Sequence, residues 1–398
     1  MRLTTHHVLG SVAATAVLVL AACAPSADGD AGEDGSGASS VEVGVITSET
    51  GPLAAYGEQF LTGFEAGLDY ATDGTGEVDG VTIEIRNGDD TGDPDKAVQL
   101  TKEYIGDGVK ILTGTVSSGI ALGVAEQAEQ NKILYVSGAA AADAITGING
   151  HTFRSGRQSM QDVATAGTFL DDIDGKKVVV FAQDDAFGQG NAAAVDALLG
   201  AQGAKVQPLL VGGDIKEFTS FAQQLKDAQP DLVFVAWAGE TTGSMWQSLE
   251  QQGIFDVAPV VTGLGDVASY GAYGPVAEKI SFLSHYFATA PDNEVNAAMV
   301  EAVESAGGTV DLFTPDGFTA AQMIVHAIAE GQGDVEAMVD ALEGHSFDAP
   351  KGTVTVREGD HALLQEMYQA RLVADGDTFT PELVETAPAD VVAPPEAS

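Results

Sequence analysis

Short β-branched runs alternate along this chain with longer alanine-rich stretches of helical period, and no other feature constrains the fold as strongly. The runs are Val41 to Ile46, Val81 to Ile85, Val109 to Leu112, Ile133 to Val136, Val178 to Phe181, Val206 to Val211, Leu232 to Val235 and Pro259 to Val261. Strands separated by helices make βαβ units and a mostly parallel sheet. Lys177-Val-Val-Val-Phe-Ala182 is apolar without alternation, as a strand covered on both faces by helices must be. The order strand, helix, strand, helix, strand over residues 43–112 is echoed over 178–235, so two similar α/β lobes are expected. Residues 293–342 read as mainly helical, and two late strands follow at 353–356 and 366–373. Such a late block suggests a chain that recrosses between lobes rather than adding a third domain.

Composition narrows the partners. The 59 acidic and 17 basic residues of the 398 give a net charge of −42, which repels nucleic-acid phosphates and anionic headgroups alike. The single cysteine, Cys23, rules out an internal disulfide framework and a cysteine-rich metal site. Residues 1–22 read as an export leader: Arg2, an apolar run from Val8 to Leu20, then small residues before Cys23. Leu20-Ala21-Ala22-Cys23 resembles a bacterial lipobox, in which Cys23 becomes the lipidated first residue of the mature chain; an ordinary leader with an incidental cysteine is the duller alternative. Residues 23–40 are almost wholly small or acidic and read as a flexible tether, and residues 380–398, rich in Pro, Ala and Glu, as a disordered tail. No other segment has the length and apolarity of a membrane span.

Open parallel sheets bind ligands beyond the carboxyl ends of their strands, where helix N-termini offer free amides. Two facing lobes make a cleft of such ends. No catalytic set is found: there is no G-x-S-x-G elbow, no H-E-x-x-H pair and no phosphate loop. Gly188-Gln-Gly190-Asn-Ala-Ala193 imitates a dinucleotide fingerprint, but Gln183 to Phe187 separate it from its strand. Asp89 to Asp93 suggests a calcium loop, yet Pro94 stands where glycine is required; it reads as the end of a strand and the cap of a helix. The expectation is a binding protein, not an enzyme, with no cofactor and no metal.

Gly44-Val-Ile-Thr-Ser-Glu-Thr-Gly-Pro-Leu-Ala-Ala-Tyr-Gly57, Asp89-Asp-Thr-Gly-Asp-Pro-Asp-Lys-Ala97, Gly114-Thr-Val-Ser-Ser118, Phe153-Arg154 and Phe187-Gly-Gln-Gly190 occur in this order. Together they resemble the leucine/isoleucine/valine-type substrate-binding proteins of bacterial ABC importers, over residues 41–375. The resemblance implies the type I periplasmic-binding clamshell: two doubly wound α/β lobes of parallel sheet, joined by a multi-strand hinge and closing on a small ligand that is passed to a membrane permease. Residues 41–155 with about 285–342 are assigned to lobe 1, and 156–284 with about 343–379 to lobe 2. The expected protein is a monomer outside the cytoplasm, tethered to the cell membrane through Cys23. A sensory receptor using the same clamshell is the alternative.

The resemblance also names site positions. Ser118 stands at a serine that meets the ligand carboxylate, with Ser117 beside it, and the loop Ser137-Gly-Ala-Ala-Ala-Ala142 brings Ala139 and Ala141, alanine where one hydroxyl is usual. Phe187 stands for a common tyrosine, and Leu264 for the glutamate that pairs with an ammonium; Asp266 is a displaced substitute. Tyr56 matches a cleft aromatic. Trp237 follows a buried strand and is either a cleft wall or a lobe-core residue, and Arg157 either holds a carboxylate or balances surface acids. Losing an ammonium partner costs about 1.5–3 kcal/mol, so the expected ligand is a small organic molecule with an apolar or aromatic body and a carboxylate or amide. The competing ligand is a branched-chain amino acid held by Asp266 or Glu240.

Overall fold

In the computed structural model the described residues are 39–397, apart from 168, 170–172 and 377. The leader, Cys23 and most of the tether lie outside them.

The chain starts in lobe 1 with β1 (Ser39–Thr47), α1 (Ala54–Ala71), β2 (Glu77–Val78), β3 (Val81–Asp89), α2 (Pro94–Gly106), β4 (Ile111–Gly114), α3 (Ser118–Asn131), β5 (Leu134–Ser137) and β6 (Thr152–Arg154). These strands form one sheet in the order β2-β3-β1-β4-β5-β6, parallel except for β2. All four residues of β4 and of β5 are buried, which is why their sequences show no alternation.

Lobe 2 follows: α4 (Ser159–Gly167), β7 (Lys177–Gln183), α5 (Ala186–Leu198), β8 (Lys205–Val211), α6 (Thr219–Ala228), β9 (Leu232–Ala236), α7 (Thr242–Gln251), β10 (Val260–Gly263), a 3-10 stretch Val267–Lys279, and β11 (Ile280–Ser284). The chain then recrosses into α8 (Glu294–Ser305), α9 (Thr314–Gly331), α10 (Val335–Leu342), β12 (Ser346–Ala349), β13 (Gly352–Val356) and β14 (Leu363–Leu364). It ends in β15 (Met367–Asp375) and β16 (Thr378–Ala387). The lobe 2 sheet runs β16-β15-β11-β10-β9-β7-β8, with β15 and β16 antiparallel. Three segments therefore join the lobes, after β6, after β11 and between β14 and β15, and the end of the chain returns from β16 to lobe 1 as a fourth. No helix among the described residues is long and apolar enough to cross a membrane.

Helix α9 seats on α1 through glycines. A Cβ on Gly63 would fall on the Thr314 carbonyl, and one on Gly317 on the Phe60 carbonyl, so only glycine permits this approach. The contact places the start of α9 beside the cleft.

Three expectations are corrected. Residues 343–379 do not all belong to lobe 2: Ala349, Val354, Val356 and Leu363 bury into the lobe 1 core with Met338 and Leu342, and the chain enters the lobe 2 sheet only at Met367. Of the tail expected at 380–398, the described residues 380–397 are not disordered. Thr378–Ala387 pairs with β15 from Met367↔Ala387 to Asp375↔Thr378, and Val392 is fully buried against Met367 and Ala387; backbone pairing supplies the order that composition does not. The tether also ends earlier than residue 40, because Ser39 and Ser40 already pair with Val81 and Thr82.

Candidate functional site

The loops beyond β1, β4 and β5 meet the start of α9 in a small apolar cluster. Val116, Ala139, Leu312 and Phe313 are buried, with Leu53 and Tyr56 partly buried against them. The Tyr56 and Phe313 rings lie 4.7 Å apart at 57°, a tilted contact favourable to both. The Arg157 guanidinium sits 5.7 Å from the Phe313 ring centre, and the His285 ring 5.1 Å from it.

Arginines at the first crossing shape the alanine loop. Arg154, fully buried, donates from Nη2 to Ala140 O at 2.6 Å and from Nη1 to Ala142 O at 3.0 Å. Burial lowers its pKa to about 10, so it stays charged. Arg157 donates from Nη1 to Ala139 O at 3.1 Å, and its Nε lies 3.3 Å from Asp162 Oδ2. Ala141 O accepts from the amide and hydroxyl of Ser159 at 2.8 and 3.1 Å. The loop thus works through its carbonyls, and small side chains let the guanidinium groups reach them. Arg157 Nη2 has no protein hydrogen-bond partner among the described residues.

The opposite wall is acidic and phenolic. Asp266 caps the 3-10 stretch, accepting from Ser269 N at 3.1 Å, and Tyr273 OH accepts from Gly265 N at 3.0 Å. Burial first, and then the Asp266 charge, push the Tyr56 phenol well above its ordinary range; the ring is neutral and its hydroxyl remains a hydrogen-bond donor.

The structure therefore gathers Tyr56, Ala139 and Arg157 around Phe313, with Asp266 close enough to Tyr56 to act on its phenol. The other expected positions make contacts of their own. Leu264 is buried in the lobe 2 core with Tyr270 and Tyr273. Trp237 stacks on Phe181 at 5.2 Å, meets Phe218 edge-on and donates from Nε1 to Thr241 Oγ1 at 3.0 Å. Phe187 packs against the second core of lobe 2, with Val178 and Val180. Ser117 precedes α3 without a capping hydrogen bond, and Ser118 Oγ accepts from Ala142 N at 3.2 Å. Asp89 gathers the first loop, accepting from Glu49 N, Thr50 N and Thr91 N, while Asp93 caps α2 through Asp95 N and Lys96 N. Sequence reasoning missed Asp311, Leu312 and Phe313. The available signal was Leu312-Phe313-Thr314-Pro315, an aromatic just before a proline-marked helix start.

Comparisons with known proteins agree with this architecture. A family model described as periplasmic binding protein matches residues 40–377. A Leu/Ile/Val-binding protein homologue of Brucella melitensis is 27% identical over 325 residues, covering 80% of this chain and 87% of the relative. The crystal structure of an ABC-type branched-chain amino acid transporter protein from Rhodopseudomonas palustris has a TM-score of 0.75 and 31% identity, covering 89% of this chain and 99% of the other. A solute-binding protein of an ABC transporter from R. palustris, in complex with 4-hydroxybenzoate, has a TM-score of 0.79 at 21% identity, covering 88% and 97%. With most of its length matched and the clamshell in place, this chain belongs to the periplasmic binding protein family and is a solute-binding receptor of an ABC transporter.

Proposed function

We propose that the solute is a small organic acid with an aromatic or apolar body. The observation that carries this is Arg157, whose guanidinium lies over Phe313 beside Tyr56, its Nη2 without a hydrogen-bond partner among the described residues. A carboxylate meets Nη2 in a charge-assisted hydrogen bond, and the body of the ligand lies against Tyr56 and Phe313. Backbone amides near Ser118 and the alanine loop complete the carboxylate site. Solute-binding proteins of this fold from R. palustris in complex with 4-hydroxybenzoate, 3,4-dihydroxybenzoic acid and benzoate support the reading. A ligand that touches both lobes favours the closed arrangement by its differential affinity.

A branched-chain amino acid is the second reading, favoured by the names of the Brucella relatives and by Asp266 as an ammonium partner. Calorimetric titration of benzoate and 4-hydroxybenzoate against leucine, isoleucine, valine and their des-amino acids separates the two. Micromolar binding of the amino acids with the des-amino acids silent overturns the organic-acid reading.

Cys23 is the lipid attachment point in this proposal, anchoring a monomer on the outer side of the cell membrane beside its permease. The Leu20-Ala21-Ala22-Cys23 run supports it. Cys23→Ser leaves an unlipidated precursor; a diacylglycerol-bearing product from that variant refutes the anchor. Solute uptake that survives loss of the protein favours signalling over import.

A further inference from the structure

Asp311 lies in the loop between α8 and α9, directly before Leu312 and Phe313. Within lobe 1 its carboxylate accepts from Gln59 Nε2 at 3.2 Å and from Leu312 N at 2.7 Å. Gln59 Oε1 in turn accepts from Phe313 N at 3.1 Å, and Thr314 Oγ1 accepts from Asp311 N at 2.9 Å. These bonds hold the loop that carries the aromatic floor of the cleft.

The same carboxylate reaches across the cleft. Val267, the first residue of the 3-10 stretch in lobe 2, directs its amide at both oxygens, 3.2 Å from Oδ1 and 3.0 Å from Oδ2. This bond is not needed to start α9, whose first turn has its own donors and acceptors within lobe 1. It joins the mouth of one lobe to the mouth of the other, on the ligand side rather than at the crossing segments. Gly239 of lobe 2 faces Pro52 of lobe 1 nearby, at a distance where an added Cβ would lie 3.4 Å from the Pro52 carbonyl oxygen.

We propose that Asp311 and the Val267 amide form a latch that holds the two lobes together before a ligand arrives, and that ties closure to the position of Phe313. Asp311 is a positioning residue: it acts on the solute through the loop and through the lobe arrangement. The latch does not depend on which solute the cleft takes. It is also built to yield. Asp266, next to Val267, sets a like charge beside it, and burial together with that charge pushes the Asp311 carboxyl up to about 6. Repulsion between these carboxylates of opposite lobes opposes the cross-cleft bond, so the latch holds less strongly than it would without Asp266 beside it.

The test removes the donor and leaves Asp311 untouched. Val267→Pro deletes one N–H at the first position of a helical turn, where proline is well tolerated. The preceding Asp266 already has φ −67° and ψ 159°, the extended geometry that a following proline requires, and the Val267 side chain is 50% exposed. Small-angle scattering of the ligand-free protein should show a larger radius of gyration for Val267→Pro than for the wild type, with the melting temperature little changed. Asp311→Ala should open the lobes equally and abolish hydrogen-exchange protection of the Val267 amide. Equal radii for Val267→Pro and wild type, or a Val267 amide still protected in Asp311→Ala, overturn the latch. None of these readings needs a solute, so they decide the latch even if the organic acids do not bind.

Discussion

Arg357 grips Asp360 with two parallel hydrogen bonds, Nε to Oδ1 at 2.8 Å and Nη2 to Oδ2 at 2.6 Å. Both residues sit in the turn between β13 and β14, on lobe 1, and both also hold the end of the chain. Arg357 Nη1 donates to Pro394 O at 2.8 Å, and Asp360 Oδ2 accepts from Ala397 N at 2.9 Å. Although burial opposes it, the Arg357 pairing keeps the Asp360 carboxyl below its usual range. The chain leaves lobe 2 at the end of β16 and returns to lobe 1 here, so residues 388–397 strap the lobes together.

Arg357→Ala should therefore release that strap. Asp360 is almost fully buried, and leaving it without its partner costs about 1–3 kcal/mol. Carboxypeptidase digestion should trim the end of the variant and stop short on the wild type. A variant as resistant as wild type would show that the strap does not depend on this pair.

The contrast between strap and sheet shows what the amino-acid order discloses. Val178–Ala182 and β4 were legible because both faces of those strands are buried and their residues are apolar apart from Thr113 and Gly114 of β4. Thr378–Ala387 was not, because it is a mostly exposed edge strand, half polar and interrupted by Pro381, and takes its order from main-chain pairing that composition does not record. Tyr56, in the first turn of α1, and Arg157, between β6 and α4, could be picked out because they closely follow strands whose carboxyl ends a parallel sheet places at the cleft. Asp311 and Phe313 come from far along the chain and reach the cleft only because α9 docks on α1 through glycine contacts. Leu264 was reached by resemblance alone: it stands at a position expected to face a ligand, and its side chain packs with Tyr270 and Tyr273.

That docking is itself testable. Gly63→Ala should destabilise the protein by about 1–3 kcal/mol, as overpacking does, because a methyl group there falls on the Thr314 carbonyl. Gly119→Ala, in α3 where nothing lies within 4 Å of an added Cβ, should stabilise by about 0.5–1 kcal/mol. Thermal melts that move both variants the same way contradict the packing argument.

Two buried carboxyls set a pH dependence with a definite sign. Burial raises Asp162 to about 6 against the pull of Arg157, and burial likewise raises Asp311 to about 6. Unfolded, such groups titrate near 3.9, so between about pH 4 and 6 the folded protein binds more protons. Stability therefore falls as pH rises through that window and levels off above it. Asp162 alone contributes on the order of 2–3 kcal/mol to the fall. Repulsion among the many acids acts in the same direction in wild type and variant, so the comparison isolates one group: Asp162→Asn should show a shallower loss of denaturation midpoint between pH 4 and 7. Parallel curves would remove Asp162 as a titrating group in that range.

Arg157 should set the preference for an acid over the matching amide. Its Nη1 is held by Ala139 O and its Nε lies near Asp162, and in the proposed site Nη2 meets the carboxylate. Benzoate and benzamide have nearly the same shape and the same contact with Tyr56 and Phe313, so their affinity ratio reads the charge interaction apart from packing. A charge-assisted hydrogen bond is worth about 1.5–3 kcal/mol, so the wild type should bind benzoate roughly ten-fold to one-hundred-fold more tightly than benzamide. Arg157→Gln keeps a donor and much of the volume while removing the charge, and it should bring the ratio close to one. The variant also leaves Asp162 buried without its cation, which lowers stability and can weaken both ligands; the ratio is insensitive to that shared loss. Calorimetric titrations that return the wild-type ratio in Arg157→Gln would show that the carboxylate is held elsewhere, at the amides beside Ser118.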